Sequence, residues 1–180
     1  MNLVTKIRNQ LTYNPDTGEL HWKENGSGRR SNLVAGSIKY TRGGHNVIRR
    51  IVLDGVDYTS AQVAWTIQEG EFPAFIIDRI DGDPLNDRWT NLRRGDGGVI
   101  QRNCRMSRRI TTGVTGVRLN NGYYPAYIGD NGKQKYLGCS ADFFEAVCIR
   151  KRAELDYNYS PRHGINDEKS PARANHSGAL

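Results

Sequence analysis

Ile77-Asp78-Arg79-Ile80-Asp81-Gly82-Asp83-Pro84-Leu85-Asn86-Asp87-Arg88-Trp89-Thr90-Asn91-Leu92-Arg93 is the stretch of this 180-residue chain whose reading decides the fold. Its Gly, Pro, Asn and Asp residues carry turn geometry, so a generic loop is the simplest interpretation. Turn chemistry does not, however, require Trp89-Thr90-Asn91-Leu92-Arg93 to follow. A calcium loop is excluded, because the Asp-x-Asp-x-Asp-Gly spacing and the closing Glu are both missing.

Upstream, Leu11-Thr12-Tyr13-Asn14-Pro15-Asp16-Thr17-Gly18-Glu19-Leu20-His21-Trp22-Lys23 reads as strand, turn and strand, with Pro15 and Gly18 in the turn. Gly26 to Arg30 is a polar Gly/Arg loop. Residues 46–58 read as a hairpin, with Val47-Ile48 and Ile51-Val52-Leu53 as apolar runs and Asp54-Gly55 as a turn. Thr59 or Ser60 caps a helix to about Glu69, with Val63, Ala64 and Ile67 on one face. Glu71-Phe72-Pro73 ends it.

Downstream the charge changes. Between Arg93 and Arg109 lie Arg93, Arg94, Arg102, Arg105, Arg108 and Arg109 against Asp96 alone, a net +5 from six arginines and one aspartate. The whole chain carries +7 with a pI near 9.5, a balance suited to a polyanionic partner. Arg throughout, rather than Lys, suits phosphate because the planar fork binds it with two hydrogen bonds. A solvated charged linker is the competing interpretation of the same span.

After Thr111-Thr112, Gly113-Val114-Thr115-Gly116-Val117-Arg118, Gly122 to Ile128 and Asn131 to Gly138 suggest three short strands, with Asn131-Gly132 as a hairpin turn. Ser140 and Asp142 open a helix to about Asp156, with Phe144, Val147, Cys148 and Leu155 expected near its inner face. Alternation along the strands puts Tyr124, Ala126 and Ile128 against that helix, and Tyr127, Gln134 and Tyr136 outward beside Arg118. Ordinary surface aromatics are the alternative for Tyr127 and Tyr136. Residues after about Gly164 read as a disordered tail.

No apolar run approaches the ~20 residues that span a bilayer, and the N-terminus lacks an apolar signal core. Cys104, Cys139 and Cys148 are odd in number and show no Cys-x-x-Cys spacing, which argues against a structural zinc site or a disulfide framework. The expectation is a reduced, cytoplasmic protein whose thiols are packing groups.

The quoted stretch resembles the catalytic signature of HNH endonucleases, which runs Asp-His-Ile-Asn/Asp-Gly-Asp-Pro-Leu-Asp-Asn-Arg-Trp-Ser-Asn-Leu-Arg. The opening at Tyr13-Asn14-Pro15-Asp16-Thr17-Gly18 to Trp22-Lys23 resembles that of phage-type members. The resemblance implies a strand–strand–helix unit holding one divalent cation, with a His that activates the attacking water. Here Arg79 stands at the His position, and a guanidinium has no lone pair to act as base. Asp78 matches the metal-binding carboxylate and Asn91 the residue that orients the base. Nine residues beyond Asn91, Ile100 stands where relatives carry a second metal-binding Asn. Asp87 replaces a further family Asn, and Ala61 the His of a His-Arg-Leu-Ala-Trp helix. The implied site is thus a remnant, Asp78, Arg79, Asn91 and Ile100, with no cofactor or a weakly bound Mg2+ at Asp78, and Arg79 pairing with Asp78 or a neighbouring Asp in place of the cation.

Residues 113 to about 159 resemble the ethylene-response-factor (APETALA) DNA-binding domain, which follows the nuclease unit in phage relatives. That resemblance implies a sheet lying in the major groove, on which relatives carry several Arg and this chain keeps Arg118. The expected class is α+β: a small β-rich N-terminal segment and a ββα-metal (HNH) unit over 1–104, a basic linker over 105–112, a three-stranded antiparallel sheet packed on one helix over 113–160, and a tail over 161–180. The expected DNA contacts are Arg102, Arg105, Arg108, Arg109, Arg118, Tyr127, Gln134 and Tyr136. Three functions stay open: a DNA-binding protein that has lost its nuclease activity, a working endonuclease that recruits Asp81, Asp83 or Asp87 as ligands and His45 as base, and a phage product that grips a host or phage protein.

Overall fold

The computed structural model describes residues 2–26, 29–40 and 47–165; His45 and residues 166–180 of the expected tail lie outside them. The chain separates into two compact units, Met1–Asn103 and Cys104–Leu180. Both are mixed α+β with small antiparallel sheets. Among the described residues no helix is long and apolar enough to cross a membrane.

The first unit opens on a helix that the sequence pattern did not announce. α1 (Leu3–Gln10) is capped by the Asn2 side chain, which accepts from the Thr5 N–H at 2.8 Å. It leads into β1 (Leu11–Tyr13), paired antiparallel with β2 (Leu20–Trp22). A second sheet orders β3 (Ser37–Tyr40), β4 (Val47–Leu53) and β5 (Val56–Thr59), with Asp54-Gly55 turning β4 into β5; β3 was not expected. α2 (Ser60–Glu69) starts at a reciprocal cap in which Thr59 and Gln62 satisfy each other's backbone. Ile7, Leu11, Leu20, Ile51, Leu53 and Val63 close over one core, with Leu92 at its edge.

The quoted stretch follows as β6 (Ile76–Arg79), a loop, a single 3-10 turn (Trp89–Asn91), β7 (Leu92–Gly95) and α3 (Gly97–Arg102). β6 and β7 pair antiparallel, with Asp78 opposite Arg93 and Arg79 opposite Leu92. Trp89 packs its ring 5.0 Å from that of Trp65 on α2, and Trp65 meets Phe75 edge-on at 5.1 Å. These contacts are what fasten the loop's far end to the core.

In the second unit β8 (Tyr124–Asp130) and β9 (Lys133–Ser140) form a two-stranded sheet on α4 (Phe143–Asp156). The expected third strand over 113–118 is reduced to a bridge at Val117–Ala126 with two flanking hydrogen bonds, Tyr127 N–H to Gly116 O and Arg118 N–H to Pro125 O. Gly116 sets the limit: its φ is +83, and a Cβ there would lie 2.4 Å from the Tyr127 carbonyl oxygen. The segment pairs again only at Asn120 and Tyr123.

α4 also turns a different face inward from the one expected. Ala146, Ile149, Arg150, Ala153 and Glu154 pack inside, while Phe144 and Leu155 are each 73% exposed. Small Ala146 and Ala153 let the helix approach the sheet closely, and apolar counting alone favours the larger side chains. Residues 161–165 are part of this unit, not tail: His163 is 3% exposed. Cys104, Cys139 and Cys148 are all exposed rather than packed.

Candidate functional site

In the first unit Asp78 and Arg79 stand on β6, Asn91 in the 3-10 turn before β7 and Ile100 on α3. Asp78 Oδ2 accepts from Arg93 Nε at 2.8 Å and lies 2.7 Å from its terminal nitrogen. From the other side, the Asn103 amide donates to Asp78 Oδ1 and Oδ2 at 3.3 and 3.2 Å and to the Arg79 carbonyl at 2.8 Å. The carbonyl accepts only, so it fixes the NH2 end of Asn103 toward Asp78. Asn103 is the residue sequence reasoning missed. Counting by family offset stops at Ile100, yet Asn103 stands one turn later at the C-cap of α3, on the same side of the helix. Ile100 packs over Gly95, where an added Cβ would lie 3.3 Å from Ile100 Cγ1 and 3.2 Å from Asp78 Cβ.

Arg79 does not pair with Asp78. Its Nε and a terminal nitrogen both donate to Asp87 Oδ1, at 3.0 and 2.5 Å, and Asp87 is 2% exposed. Around this pair the two segments that resemble HNH proteins come together. Tyr13 donates its hydroxyl to the Asp87 carbonyl at 2.7 Å, Arg88 Nε donates to the Asp16 carbonyl at 2.9 Å, and Trp89 N–H donates to the Pro15 carbonyl at 2.9 Å. Gly18 makes the approach possible, since with φ +79 its Cβ would stand 2.5 Å from Arg88 N. Burial, with the Asp87 charge second, raises the Tyr13 pKa well above its ordinary value.

The Asn91 side chain makes its hydrogen bonds within the loop. It knits the loop, accepting from Asp81 N–H at 3.0 Å and donating to Asp81 Oδ1 at 2.9 Å and the Asn86 carbonyl at 2.8 Å. Asp81 also accepts from Asp83 N–H and from Asn86 Nδ2, and Asp83 from Leu85 N–H. The carboxylates of the rearranged-site reading are therefore engaged by the loop itself or, for Asp87, by Arg79. Ala61, at the second His position, is buried in the core.

A divalent cation needs carboxylate and carbonyl oxygens turned toward one point. At Asp78 the neighbours present N–H donors from Arg93 and Asn103. Among the described residues no group of three or more His, Cys, Asp or Glu side chains could hold a metal ion.

In the second unit the outer sheet face carries the expected row. Arg118 lies over the Tyr127 ring at 5.4 Å, and Tyr127 meets Tyr136 edge-on at 5.6 Å. The register set by the Asn131-Gly132 turn pairs Tyr127 with Tyr136, and beyond that pair a bulge leaves Leu137 as the extra residue before Ala126 meets Gly138. Tyr136 is thereby turned to solvent, 58% exposed, next to exposed Gln134. Arg105, Arg108 and Arg109 are exposed, and Arg102 is half-buried on the last turn of α3. Arg93 is tied to Asp78 and Arg94 lies over the Phe75 ring at 4.7 Å, so part of the basic span is already engaged.

Behind that face sits a polar core the sequence reading left unassigned. Arg150, 2% exposed, donates to Glu154 at 3.0 Å and to the Tyr127 carbonyl at 2.7 Å, faces His163 Nε2 at 3.2 Å, and lies 5.0 Å over the Tyr159 ring. Arginine has no acceptor, so His163 accepts at Nε2 and carries its proton at Nδ1, 3.8 Å from Cys104 Sγ. The bond to Tyr127 O anchors the strand beneath the exposed aromatic row.

Comparison of the chain with protein-family models, curated proteins and solved structures gives no match. The likenesses to HNH and ethylene-response-factor proteins rest on the residues quoted above.

Proposed function

We propose that this chain is a duplex-DNA-binding protein of phage HNH type in which the strand–strand–helix unit has lost its nuclease activity. The observation that carries the reading is the pair of closures around the signature: Arg93 and Asn103 on Asp78, and Arg79 on Asp87. A guanidinium at the base position cannot take a proton from water, and general-base loss alone removes ~100- to 10,000-fold in rate. Arg93 engages the carboxylate, Asp78, that the HNH resemblance would give to a cation. The unit is thereby a scaffold that needs no metal to hold its loop.

DNA contact is assigned to the exposed arginines of residues 105–109 for phosphate and to the Arg118–Tyr127–Tyr136 row, with Gln134, for position and base edges. Phosphate contacts release counterions, so log affinity falls with log salt at roughly 0.9 per phosphate neutralised. Fluorescence anisotropy on labelled duplexes at several salt concentrations tests the division of labour. Replacing Arg105, Arg108 and Arg109 by Ala is expected to flatten the slope by about 2.7 on that rule, equally on every sequence. Replacing Arg118 or Tyr136 by Ala is expected to change preference among sequences with a smaller change in slope. Absence of binding to any duplex at low salt contradicts the reading and favours a protein partner.

A further inference from the structure

The first unit holds a second basic feature that neither the signature nor the sheet face uses. A cleft of about 650 Å³ lies between the 29–34 segment and the outer side of β4, and Trp22, Arg29, Arg30, Arg50 and Asp54 are among the residues that line it. Arg29 stacks over the Trp22 ring at 4.5 Å. Its backbone is pinned by reciprocal hydrogen bonds with Gly26, each 3.0 Å. Stacking holds the guanidinium plane while leaving its N–H edge available to an acceptor. Arg50 projects from β4 beside exposed Val52. The acid in the cleft is Asp54, and it is engaged in an ion pair with Lys6, which with Arg29 holds its carboxyl below the usual range. No side-chain acid is within ion-pair distance of Arg30 or Arg50 among the described residues.

Three guanidinium groups from two separate elements, one preorganised on an indole, face a cleft whose lining acid, Asp54, is engaged by Lys6, and make an anion site. Arginine's fork matches phosphate oxygens with paired hydrogen bonds. We propose that this cleft binds the backbone phosphates of duplex DNA, giving the first unit a contact surface of its own. The inference rests on the DNA-binding reading above and extends it from the second unit to the first. An open cleft edged by exposed Leu33 and Val52 suits a strand passing across it better than a small anion enclosed within.

The test compares the full-length protein with the Arg29→Gln, Arg30→Gln, Arg50→Gln triple variant by anisotropy on a labelled random-sequence duplex across a salt series. The cleft variant is expected to lose about 2.7 from the salt slope, at roughly 0.9 per phosphate, and to lose affinity alike on all sequences. Circular dichroism and the thermal midpoint check that the variant is folded. If the triple variant does not fold, exposed Arg30→Gln alone carries the test, with an expected slope change of about 0.9. Wild-type binding with an unchanged slope in the folded cleft variant overturns this inference and leaves the DNA reading standing. Wild-type protein that binds no duplex at low salt overturns both.

Discussion

A buried carboxylate facing a nearly buried guanidinium is stable only as a pair, because removing one partner strands the other's charge in a poorly solvated place. Arg79 and Asp87 have 13% and 2% of their side chains exposed. Asp87→Ala is therefore expected to cost about 3–5 kcal/mol in urea unfolding, whereas Arg79→Met with Asp87→Leu recovers most of that loss. Equal destabilisation in single and double variants would remove the pair as the element replacing a cation. Tyr13 reports on the same corner. Its pKa is raised in the folded state, by burial first and by Asp87 second, so its contribution is complete below the unfolded value of about 10. It is lost as pH rises above that value toward the folded one. Between pH 9 and 11.5, wild type should lose more stability than Tyr13→Phe, read as a steeper fall in the urea midpoint. At this scale the sequence located Asp78, Arg79 and Asp87 and left Arg79's partner open between Asp78 and a neighbouring Asp; the partner is Asp87. Pairing depends on which side chain the loop turns inward, and no spacing rule encodes that. Asn103 was missed for a simpler reason: an offset taken from a family pattern names one helix position, while a helix offers the same face again one turn later.

At the scale of elements, what was legible was whatever local chemistry determines. The α2 cap at Thr59, the Asp54-Gly55 and Asn131-Gly132 turns, and the outward set on β8 and β9 all follow from short-range rules. What was not legible depended on partners distant in sequence. β3 pairs with β4 across residues the local pattern leaves neutral, and α1 is a short helix held by its cap and by Ile7 in the core. The inner face of α4 was misjudged because its central buried side chain is an arginine. Arg150 is the element-scale counterpart of the Arg79 pair: it joins α4 to β8 through Tyr127 O and to the C-terminal segment through His163. Arg150→Met is expected to destabilise the protein by about 3–5 kcal/mol, since Glu154 loses its buried cation. Arg150→Lys should recover only part of this, because a point charge cannot serve a planar set of partners. Thermal unfolding of both variants checks it, and an unperturbed Arg150→Met would show that the network contributes little to stability.

For the molecule as a whole, the charge of +7 is distributed over surfaces with different work. Arg79, Arg93 and Arg150 neutralise the protein's own carboxylates and fix its loops. Arg118 and the arginines of 105–109 are placed for an external anion in the proposed function, and the Trp22 cleft adds a third surface. A net charge alone does not separate these roles. In the proposed function a nuclease-like unit closed by its own side chains binds DNA without cutting it. Incubation of the purified protein with supercoiled plasmid in Mg2+ or Mn2+, resolved on one gel for both mobility shift and nicking, separates binding from cutting. The expected result is a shifted plasmid that remains supercoiled after the protein is removed. Metal-dependent nicking by the unaltered protein, abolished by Asp78→Ala, would contradict it.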